Sequence, residues 1–429
     1  MAPRRLLRWQ LLTLVLLVLG YAGCYLCRSN FSVTLPLVAQ SLIESGYAPD
    51  IARVRLGTIA SLGVLAYALG KFVTGSLADF WGGRRNILLG MFGSVLFTWL
   101  FALSGGVPLF SLAWIGNRFV QSFCWVGMVK VTGKWFSYSS YGTAMGVISL
   151  SYLFGDAAAR WFMGQLLQAG LDWRAVFWAA GGGLFCFFLA NWLLLRETPL
   201  DIGEAEPHAN PLNVFGPEGD QPVPTSLGAL LRPLVTSPQF IVVCVLSLGL
   251  TLLRETFNTW TATYFSEAVG SSSADAANQS ALFPLLGGAS VLLAGWLSDR
   301  LGQGGRALII LLGCLSTSAV LLALGFVDFA GSRLAPIWLI GLVGFLMIGP
   351  YSYLAGAISL DLGGKQGSAT ACGIIDGVGY LGAILAGDGV ARMSVAYGWD
   401  GAFRALSGVA LLTSIGAAVF YFMQRKNQP

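Results

Sequence analysis

Twelve apolar stretches, each long enough to cross a bilayer as a helix, dominate this sequence of 429 residues. A spanning helix needs about 20 predominantly apolar residues. Backbone inside hydrocarbon must satisfy its own hydrogen bonds, so these stretches are helices. The sequence therefore predicts an all-α membrane protein. The predicted spans are residues 10–38, 54–80, 86–106, 108–136, 141–170, 173–195, 237–265, 279–300, 307–327, 334–362, 367–396 and 399–424.

The composition excludes most soluble classes. Hydrophobic residues make up 55% of the chain and charged residues only 10%, whereas a soluble domain is about 25% charged. The sequence has no phosphate-cradling P-loop and no His/Cys/Asp spacing typical of a metal site. Its single histidine, His208, lies in a polar stretch, where a solvated loop residue is expected. We therefore expect neither an enzyme nor a cofactor, a metal or a nucleic-acid partner.

One long polar stretch divides the chain into two halves. Residues 196–236 contain seven prolines and several acidic residues, which favour a flexible linker without an amphipathic helix. The predicted organisation is a six-helix bundle at 1–195, a cytoplasmic linker at 196–236 and a second six-helix bundle at 237–429.

The distribution of Lys and Arg predicts the orientation. They are concentrated at alternate loops, including those with Arg84, Arg85, Arg300 and Arg306. Because positive loops stay inside, both termini are expected to be cytoplasmic. The short loops favour a bacterial inner membrane, and we expect a functional monomer.

The two halves repeat each other at a nearly constant offset. Arg28 and Arg254 are 226 residues apart, and so are Trp173 and Trp399. The segments that begin at Gly75 (GSLADFWGGRR) and at Gly295 (GWLSDRLGQGGR) are 220 apart. Each half has an even number of spans, so the halves share one orientation. This predicts a pseudo-two-fold axis along the membrane normal, with a binding site between the halves near the midplane.

The two repeated loops resemble the signature of the major facilitator superfamily. The resemblance implies a gating role for the loop aspartates, which in that family contact a neighbouring helix end and help to hold one conformation. Here the predicted gating residues are Asp79, Arg84, Asp299 and Arg306.

Six basic residues lie inside predicted spans: Arg28, Lys71, Arg118, Arg160, Arg254 and Arg392. Each costs about 2.5–3.5 kcal/mol at a helix centre on insertion scales, so each needs a partner or a wet cavity. Asp156 and Asp388 precede Arg160 and Arg392 by four residues, which predicts ion pairs along one helix. Arg118 has no acid at such a spacing and stays unassigned.

Arg28, Lys71 and Arg254 form the predicted anion site. No acid lies within a turn of Arg28 or Lys71, and Glu255 is adjacent to Arg254, pointing about 100° away around the helix. Arginine offers a fork of donors that matches phosphate. The missing counter-ion is then the substrate. The alternative is that each arginine pairs with an acid such as Glu255 or Asp376.

Aromatic residues share helix faces with these basic groups. Tyr21 and Tyr25 precede Arg28 by seven and three residues, Tyr67 precedes Lys71 by four, and Trp260 follows Arg254 by six. Phenol and indole groups can hydrogen-bond to a phosphorylated sugar or stack on it. These residues are therefore candidates to line the site, with ordinary packing as the alternative.

At these residues the sequence resembles the organophosphate:phosphate antiporters, which include glycerol-3-phosphate and hexose-phosphate transporters. The segments that carry the resemblance are 20–31, 67–72, 253–264, 349–350 and 379–382, with Asn117, Gln121, Trp125 and Lys130 in the fourth span. The resemblance implies that Arg28 and Arg254 bind phosphate. It also implies that Lys71, Tyr21, Tyr25 and Tyr380 line the site. The further candidate substrate-binding residues are Tyr67, Gln121, Trp125, Tyr152 and Trp260. Tyr152 stands where glycerol-phosphate members have a histidine, and other specificity positions also differ.

The sequence thus predicts a secondary transporter that exchanges an organic phosphate for inorganic phosphate by alternating access. The organic phosphate is a sugar phosphate or a phosphorylated three-carbon compound. Two alternatives stay open. One is a membrane receptor that senses a sugar phosphate and signals to a partner kinase. The other is a transporter of another organic anion, such as a phosphonate.

Overall fold

A computed structural model describes residues 4–221, 223–271, 273–302, 304–327 and 332–426. Within helices, the side chains at 50, 53, 273, 274, 277, 388 and 426 fall outside the description. Among the described residues, the regular structure is helical. The α-helices are α1 Arg4–Glu44, α2 Pro49–Trp81, α3 Gly83–Leu103, α4 Val107–Trp135, α5 Tyr141–Gln168, α6 Trp173–Leu194, α7 Leu227–Thr236, α8 Pro238–Glu267, α9 Ser273–Ser280, α10 Leu282–Leu301, α11 Gly305–Phe326, α12 Leu334–Tyr353 and α13 Ser359–Lys426.

Helix α13 holds more than one predicted span. Its backbone leaves helical geometry at Gly364 and Gly398, where φ is +56° and +68°. Glycine adopts this left-handed conformation without a steric penalty. The break at Gly398 falls between the predicted spans 367–396 and 399–424. Divided in this way, the described helices supply the twelve membrane-length segments that the sequence predicted.

Nine helical stretches in the described ranges are long and apolar enough to cross a membrane by length and composition. One of them, Leu334–Gly387, covers the predicted span 334–362 and most of the predicted span 367–396. Helices α4 and α5 fall outside the nine, and α4 carries Asn117, Arg118 and Gln121 along its length. These polar side chains are buried, which is the first indication that α4 serves more than packing.

The chain divides into two compact units. Unit 1 comprises Met1–Phe136 and Ile148–Pro207, and unit 2 comprises Ser137–Val147 and His208–Pro429. The first turns of α5 thus belong with unit 2. The predicted bundle boundaries at 195 and 237 stay a prediction from the sequence.

In unit 1, α3 packs against α4 and α6, and α2 packs against α4. Stacked aromatic rings fill one part of the core. The rings of Phe101 and Phe177 lie 4.5 Å apart, and those of Phe31 and Trp114 lie 4.4 Å apart. Rings at these separations gain beyond their buried area, so they fix the helices that carry the polar residues of this unit.

In unit 2, α8 and α11 pack against α13, and α10 packs against α12. A Cβ atom at Gly379 would lie 2.5 Å from the hydroxyls of Ser247 and Thr251, and one at Gly382 would lie 2.4 Å from Leu248 O. These glycines therefore let α13 approach α8 closely.

The predicted linker contains an amphipathic helix, α7, which corrects the expectation that it has none. Helix α7 buries Leu230 and Leu234 on one face. Upstream of α7, the N–H of Val214 donates to Leu362 O at 2.9 Å. The prolines argued against a helix in this stretch of the sequence, but Pro233 lies inside α7. His208 is 90% exposed, as expected for a solvated loop residue.

Candidate functional site

A tyrosine ring in unit 1 gathers the basic residues of that unit. The guanidinium carbon of Arg28 on α1 and the ammonium of Lys71 on α2 each lie 4.8 Å from the centre of the Tyr67 ring. Cations within about 6 Å of an aromatic centre are attracted by its negative face. The structure therefore brings together the three residues that the sequence placed on matching helix faces.

A third cation, which the sequence left unassigned, contacts the same ring. The guanidinium carbon of Arg118 on α4 lies 4.7 Å from the Tyr67 centre. Lys71 is fully buried, Arg118 is 5% exposed and Tyr67 is 2% exposed. Three basic side chains thus converge on one ring in a largely desolvated place. We call Arg28, Tyr67, Lys71 and Arg118 the Tyr67 cluster.

A row of aromatic rings extends from this cluster. The Arg28 guanidinium lies 5.3 Å from the Tyr25 ring, and Tyr25 lies 5.7 Å from Tyr21. Tyr21 in turn lies 5.4 Å from Trp125, and Trp125 lies 6.0 Å from Tyr152. Helices α1, α4 and α5 therefore contribute one continuous amphipathic row beside the cations.

Polar side chains of α4 connect this row to α1 and α3. The amide of Gln121 donates to Ser94 Oγ at 3.0 Å, and that of Asn117 donates to Cys27 O at 2.7 Å. Both side chains are buried, and buried polar groups with satisfied hydrogen bonds fix the geometry around them. Gln121 is therefore part of the frame that holds the cluster.

The cysteines of unit 1 behave as packing residues. Cys24 and Cys27 are buried free thiols, and Cys24 Sγ lies 3.6 Å from Cys124 Sγ. Both therefore serve as small packing residues on α1.

In unit 2, Arg254 has a different environment from the one predicted. Its guanidinium donates to Glu255 Oε1 at 2.5 Å and to the Tyr351 hydroxyl, whose ring centre lies 4.6 Å away. The expectation that Glu255 leaves Arg254 without a counter-ion was wrong, because the long arginine side chain reaches around the helix. The alternative pairing with Glu255 is the one observed. The sequence did not predict Tyr351 as a partner of Arg254, although Tyr351 directly follows Gly349-Pro350.

The other predicted residues of unit 2 lie on α8 and α13. Trp260 donates its indole N–H to Ala386 O at 2.9 Å, and its ring lies 6.4 Å from Trp399. These contacts tie α8 to α13. Tyr380 and Asp376 are both 7% exposed on α13.

The two membrane ion pairs predicted from four-residue spacing have different outcomes. Arg160 Nε lies 2.9 Å from Asp156 Oδ2, as predicted. Asp156 also accepts a hydrogen bond from the Ser29 hydroxyl, beside Arg28. The second predicted pair, Asp388 with Arg392, rests on a side chain outside the described residues.

The predicted gating residues of unit 1 are anchored inside that unit. Asp79, in the last turn of α2, accepts from the ammonium of Lys130 at 2.8 Å, and both side chains are fully buried. Arg84 donates from Nε to Leu195 O at 2.6 Å, where α6 ends. Glu197 accepts from the N–H groups of Gly83 and Arg84 at the start of α3. Arg84 thus covers the carbonyls at the end of α6, and Glu197 covers the amides at the start of α3.

The predicted gating residues of unit 2 form a chain of charges. The Asp299 carboxylate accepts from the N–H groups of Gly142 and Thr143 at 2.9 and 2.7 Å, where α5 begins. Arg306 donates to Asp299 at 3.1 Å and pairs with Asp361. Asp361 also accepts from the Asn210 amide of the linker at 3.0 Å. A cavity of about 150 Å³ is lined by Asp299, Arg306, Asp361 and Asn210, together with Tyr138 and Gln424.

The fold and these sites define a multi-pass membrane transporter. The chain belongs to the Major Facilitator Superfamily, whose family model matches residues 17–387. This is a family of transporters and not of enzymes. A human organic anion transporter, MFSD10, shares the fold at 17% identity with a TM-score of 0.69, covering 95% of this chain and 99% of its own.

Among relatives that are more similar in sequence, two are named as transporters of phosphorylated compounds and one as a membrane sensor. The chain is 27% identical to the probable hexose phosphate transport protein of Chlamydia trachomatis, over 95% of this chain and 90% of that protein. It is 25% identical to the glycerol-3-phosphate transporter of Bacillus subtilis, over 96% and 92%. It is 24% identical to the Escherichia coli membrane sensor protein UhpC, over 95% and 91%. The resemblance predicted from the motifs is confirmed.

Proposed function

We propose that this protein exchanges an organic phosphate for inorganic phosphate across the membrane by alternating access. The observation that carries the proposal is the Tyr67 cluster, where Arg28 and Lys71 lie equally close to one buried ring. Two guanidinium or ammonium groups supply the charge and donors that a phosphate dianion needs. The names of the full-length relatives support the same class of substrate.

In the proposed cycle, Arg28 and Arg254 each donate to phosphate oxygens, and Lys71 adds a point charge. The row from Tyr25 to Tyr152 contacts the organic part of the substrate. Phosphate competes with Glu255 for Arg254, because one carboxylate oxygen already occupies a guanidinium donor. Binding shifts the conformational equilibrium only if phosphate interacts more strongly with one state than with another.

The aspartates at the ends of α2 and α10 are proposed to stabilise one conformation and not to bind substrate. The Asp79–Lys130 pair and the Asp299 contacts to α5 are made entirely with protein groups. Breaking them should therefore change the rate of exchange more than the affinity for phosphate.

The test is exchange of labelled phosphate in proteoliposomes loaded with unlabelled phosphate. Glycerol-3-phosphate, glucose-6-phosphate, 3-phosphoglycerate and an aminoalkylphosphonate serve as competitors. Saturable exchange should be inhibited by at least one organophosphate and lost in Arg28→Ala and Arg254→Ala. Arg28→Lys should also fail, because lysine keeps the charge and loses the fork. Arg55→Ala, an exposed position on α2, is the matched control.

Normal exchange by Arg28→Ala and Arg254→Ala would overturn the proposal. Inhibition by the phosphonate alone would favour a transporter of another organic anion.

A membrane sensor is the second candidate. Full-length similarity to a membrane sensor protein favours it, and so does helix α7 in the linker, which offers a surface for a cytoplasmic partner. Tight binding of a sugar phosphate to the detergent-purified protein, without exchange in proteoliposomes, would identify a sensor.

A further inference from the structure

A charged pair on α5 is exposed inside a predicted membrane span. The side chains of Arg160 and Asp156 are 52% and 36% exposed, and both residues lie within the predicted span 141–170. Charged groups inside a span are costly against lipid and almost always face the bundle interior or a water-filled cavity. The pair therefore requires an aqueous environment in unit 1.

The other exposed residues of α5 show which side of the helix meets lipid. Phe154 and Trp161 are exposed apolar residues, and a separation of seven residues, at about 100° each, places them on one face. Asp156 lies about 160° around the helix from Phe154, and Arg160 about 100° from Trp161. The apolar face therefore meets lipid, and the charged pair lies on a different side of the helix.

Close packing holds the Asp156 carboxylate against the helix of Arg28. A Cβ atom at Gly155 would lie 2.8 Å from Ala22 Cα, so a glycine is needed where α5 crosses α1. Beside this crossing, Asp156 Oδ1 accepts a hydrogen bond from the Ser29 hydroxyl. Ser29 directly follows Arg28, so the carboxylate lies next to the backbone of a proposed phosphate-binding residue.

Most donors of the Arg160 guanidinium are available to a ligand. Its Nε donates to Asp156 Oδ2 at 2.9 Å, and among the described residues this is the single hydrogen bond of the side chain. A guanidinium has five N–H donors, so those of the two terminal nitrogens are without an acceptor in the described part of the chain. Because the side chain bends back toward Asp156, it does not extend to the nearer end of α5 at Gln168.

The net charge of the pair indicates which kind of group it binds. Asp156 neutralises Arg160, so a second anion on a ligand would gain little from the pair. Each carboxylate oxygen of Asp156 has one protein donor and can accept a further hydrogen bond. Donors beside acceptors complement hydroxyl groups, since a hydroxyl both donates and accepts.

The pair adjoins the aromatic row that is proposed to contact the organic part of the substrate. Tyr152 precedes Asp156 by four residues and shares its helix face, and the Tyr152 ring lies 6.0 Å from that of Trp125. Tyr25 packs against a buried cluster that includes Ala159 of α5. Both ends of the row therefore approach the turn of α5 that carries the pair.

We propose that Asp156 and Arg160 form a specificity-determining subsite that binds hydroxyl groups on the organic part of the substrate. The inference rests on the proposed function. Arg160 donates to hydroxyl oxygens, and Asp156 positions the guanidinium and accepts a hydrogen bond from a hydroxyl. The subsite thus selects among phosphate esters of equal charge by the hydroxyl groups that they carry.

The experiment measures inhibition of labelled-phosphate exchange in proteoliposomes by competitors of equal charge and similar size. Glucose-6-phosphate is compared with cyclohexylmethyl phosphate, and glycerol-3-phosphate with propyl phosphate. The second compound of each pair lacks the hydroxyl groups. The wild type should be inhibited at lower concentration by at least one hydroxylated compound than by its counterpart. A general loss of affinity for phosphate esters would cancel in this ratio.

Arg160→Met removes the N–H donors and keeps most of the side-chain length. It should reduce the ratio about tenfold, as expected for the loss of a hydrogen bond from a charged group. Because this variant leaves the Asp156 carboxylate without its cation, Asp156→Asn combined with Arg160→Met provides a neutral second variant. The double variant should show the same reduction. Gln165→Ala, at an exposed position on α5, is the matched control and should leave the ratio unchanged.

A wild-type ratio near one for both pairs of competitors would overturn the inference while phosphate exchange itself stands. An unchanged ratio in Arg160→Met would overturn it as well. If Arg160→Met cannot be purified, the double variant decides in the same way.

Absence of exchange in the wild type would instead overturn the proposed function. The same pairs of compounds are then measured by equilibrium binding to the detergent-purified protein. A preference for the hydroxylated compound that is lost in Arg160→Met would still support the subsite. An equal preference in wild type and variant would exclude it.

Discussion

Glu255 holds Arg254 through a carboxylate oxygen 2.5 Å from a guanidinium nitrogen, although the two residues are neighbours on one helix. Their side chains are 17% and 25% exposed. Phosphate that binds Arg254 must therefore compete with an intramolecular anion that is only partly buried.

Glu255→Gln should tighten the apparent affinity for phosphate. The substitution removes the competing charge and keeps the size of the side chain. Partly exposed ion pairs contribute up to about 1 kcal/mol, so the half-saturation concentration should fall by up to about fivefold. Phosphate dependence of exchange in proteoliposomes measures this, with Glu44→Gln at the exposed end of α1 as control. A higher half-saturation concentration would show that Glu255 positions Arg254 and does not compete for it.

The sequence predicted helices better than it predicted pairs between helices. Hydrophobic length identified the spans, and the four-residue spacing identified Asp156 with Arg160, because both depend on one helix only. Arg118 and Tyr67 lie on different helices and 51 positions apart, and their contact depends on how α2 packs against α4. No spacing rule contains that information.

The Arg254–Glu255 pair shows a second limit. Helical periodicity gives the direction of the Cα–Cβ bond, but a long side chain extends beyond it. The same applies to Lys130 and Lys134 on α4, whose partners lie on other segments of the chain. They are buried and paired with Asp79 and Glu197. Composition alone also failed to predict α7, because a proline lies within this helix. The helix nevertheless buries Leu230 and Leu234.

The buried Asp79–Lys130 pair predicts a strong non-additive effect on stability. Asp79→Asn or Lys130→Met should each lower the free energy of unfolding by about 3–5 kcal/mol, because the remaining charge is buried without its partner. The double variant should recover most of the loss. Thermal unfolding of the purified protein in detergent measures all three. A double variant as unstable as the sum of the singles would show that the pair is not coupled.

The lowered pKa of Asp220 predicts that the stability of the folded linker depends on pH. Partial burial alone would raise the pKa of this carboxyl, but the N–H of Ala209, the ring of His208 and the ammonium of Lys365 hold its pKa below the ordinary value. The Ala209 N–H donates to it at 2.7 Å, and His208 Nδ1 lies 3.1 Å away. A depressed pKa stabilises the folded linker above the ordinary value near pH 4. This contribution is lost as the pH falls from there through the folded-state pKa.

Pepsin cleavage of the linker, followed between pH 5 and pH 2, measures this effect. This range begins above the ordinary carboxyl pKa near 4 and extends below it, where a carboxyl of depressed pKa loses its charge. Cleavage of the wild type should accelerate as the pH falls, beyond the change in the protease's own activity on an unfolded reference peptide. Asp220→Asn should be cleaved faster at pH 5 and show a flatter dependence. Identical profiles for the two proteins would mean that Asp220 does not hold the linker.

Among the proposed gating residues, Asp299 has the contacts that predict the clearest separation of rate from affinity. Its carboxylate accepts two amide N–H groups at the start of α5 and the guanidinium of Arg306. A carboxylate at a helix N-terminus satisfies free amides and interacts favourably with the helix dipole. Asp299→Asn should weaken this cap by about 0.3–1 kcal/mol, because the side-chain oxygen remains and the negative charge at the helix N-terminus is lost. Amide hydrogen exchange at 142–145 should accelerate, and phosphate exchange should change in maximal rate with little change in half-saturation.

Gly142→Ala tests the same contact between Asp299 and α5 by changing a residue of α5. A Cβ atom there would lie 2.6 Å from Asp299 Oδ1 and 2.7 Å from Gly295 O, so the cap cannot form without displacing α10. The variant should reproduce the faster amide exchange and the altered maximal rate of Asp299→Asn. Gly164→Ala, also on α5, has open space at its Cβ and should change neither. If Asp299→Asn or Gly142→Ala instead raised the half-saturation concentration at an unchanged maximal rate, the α5 contact would belong to substrate binding and not to gating.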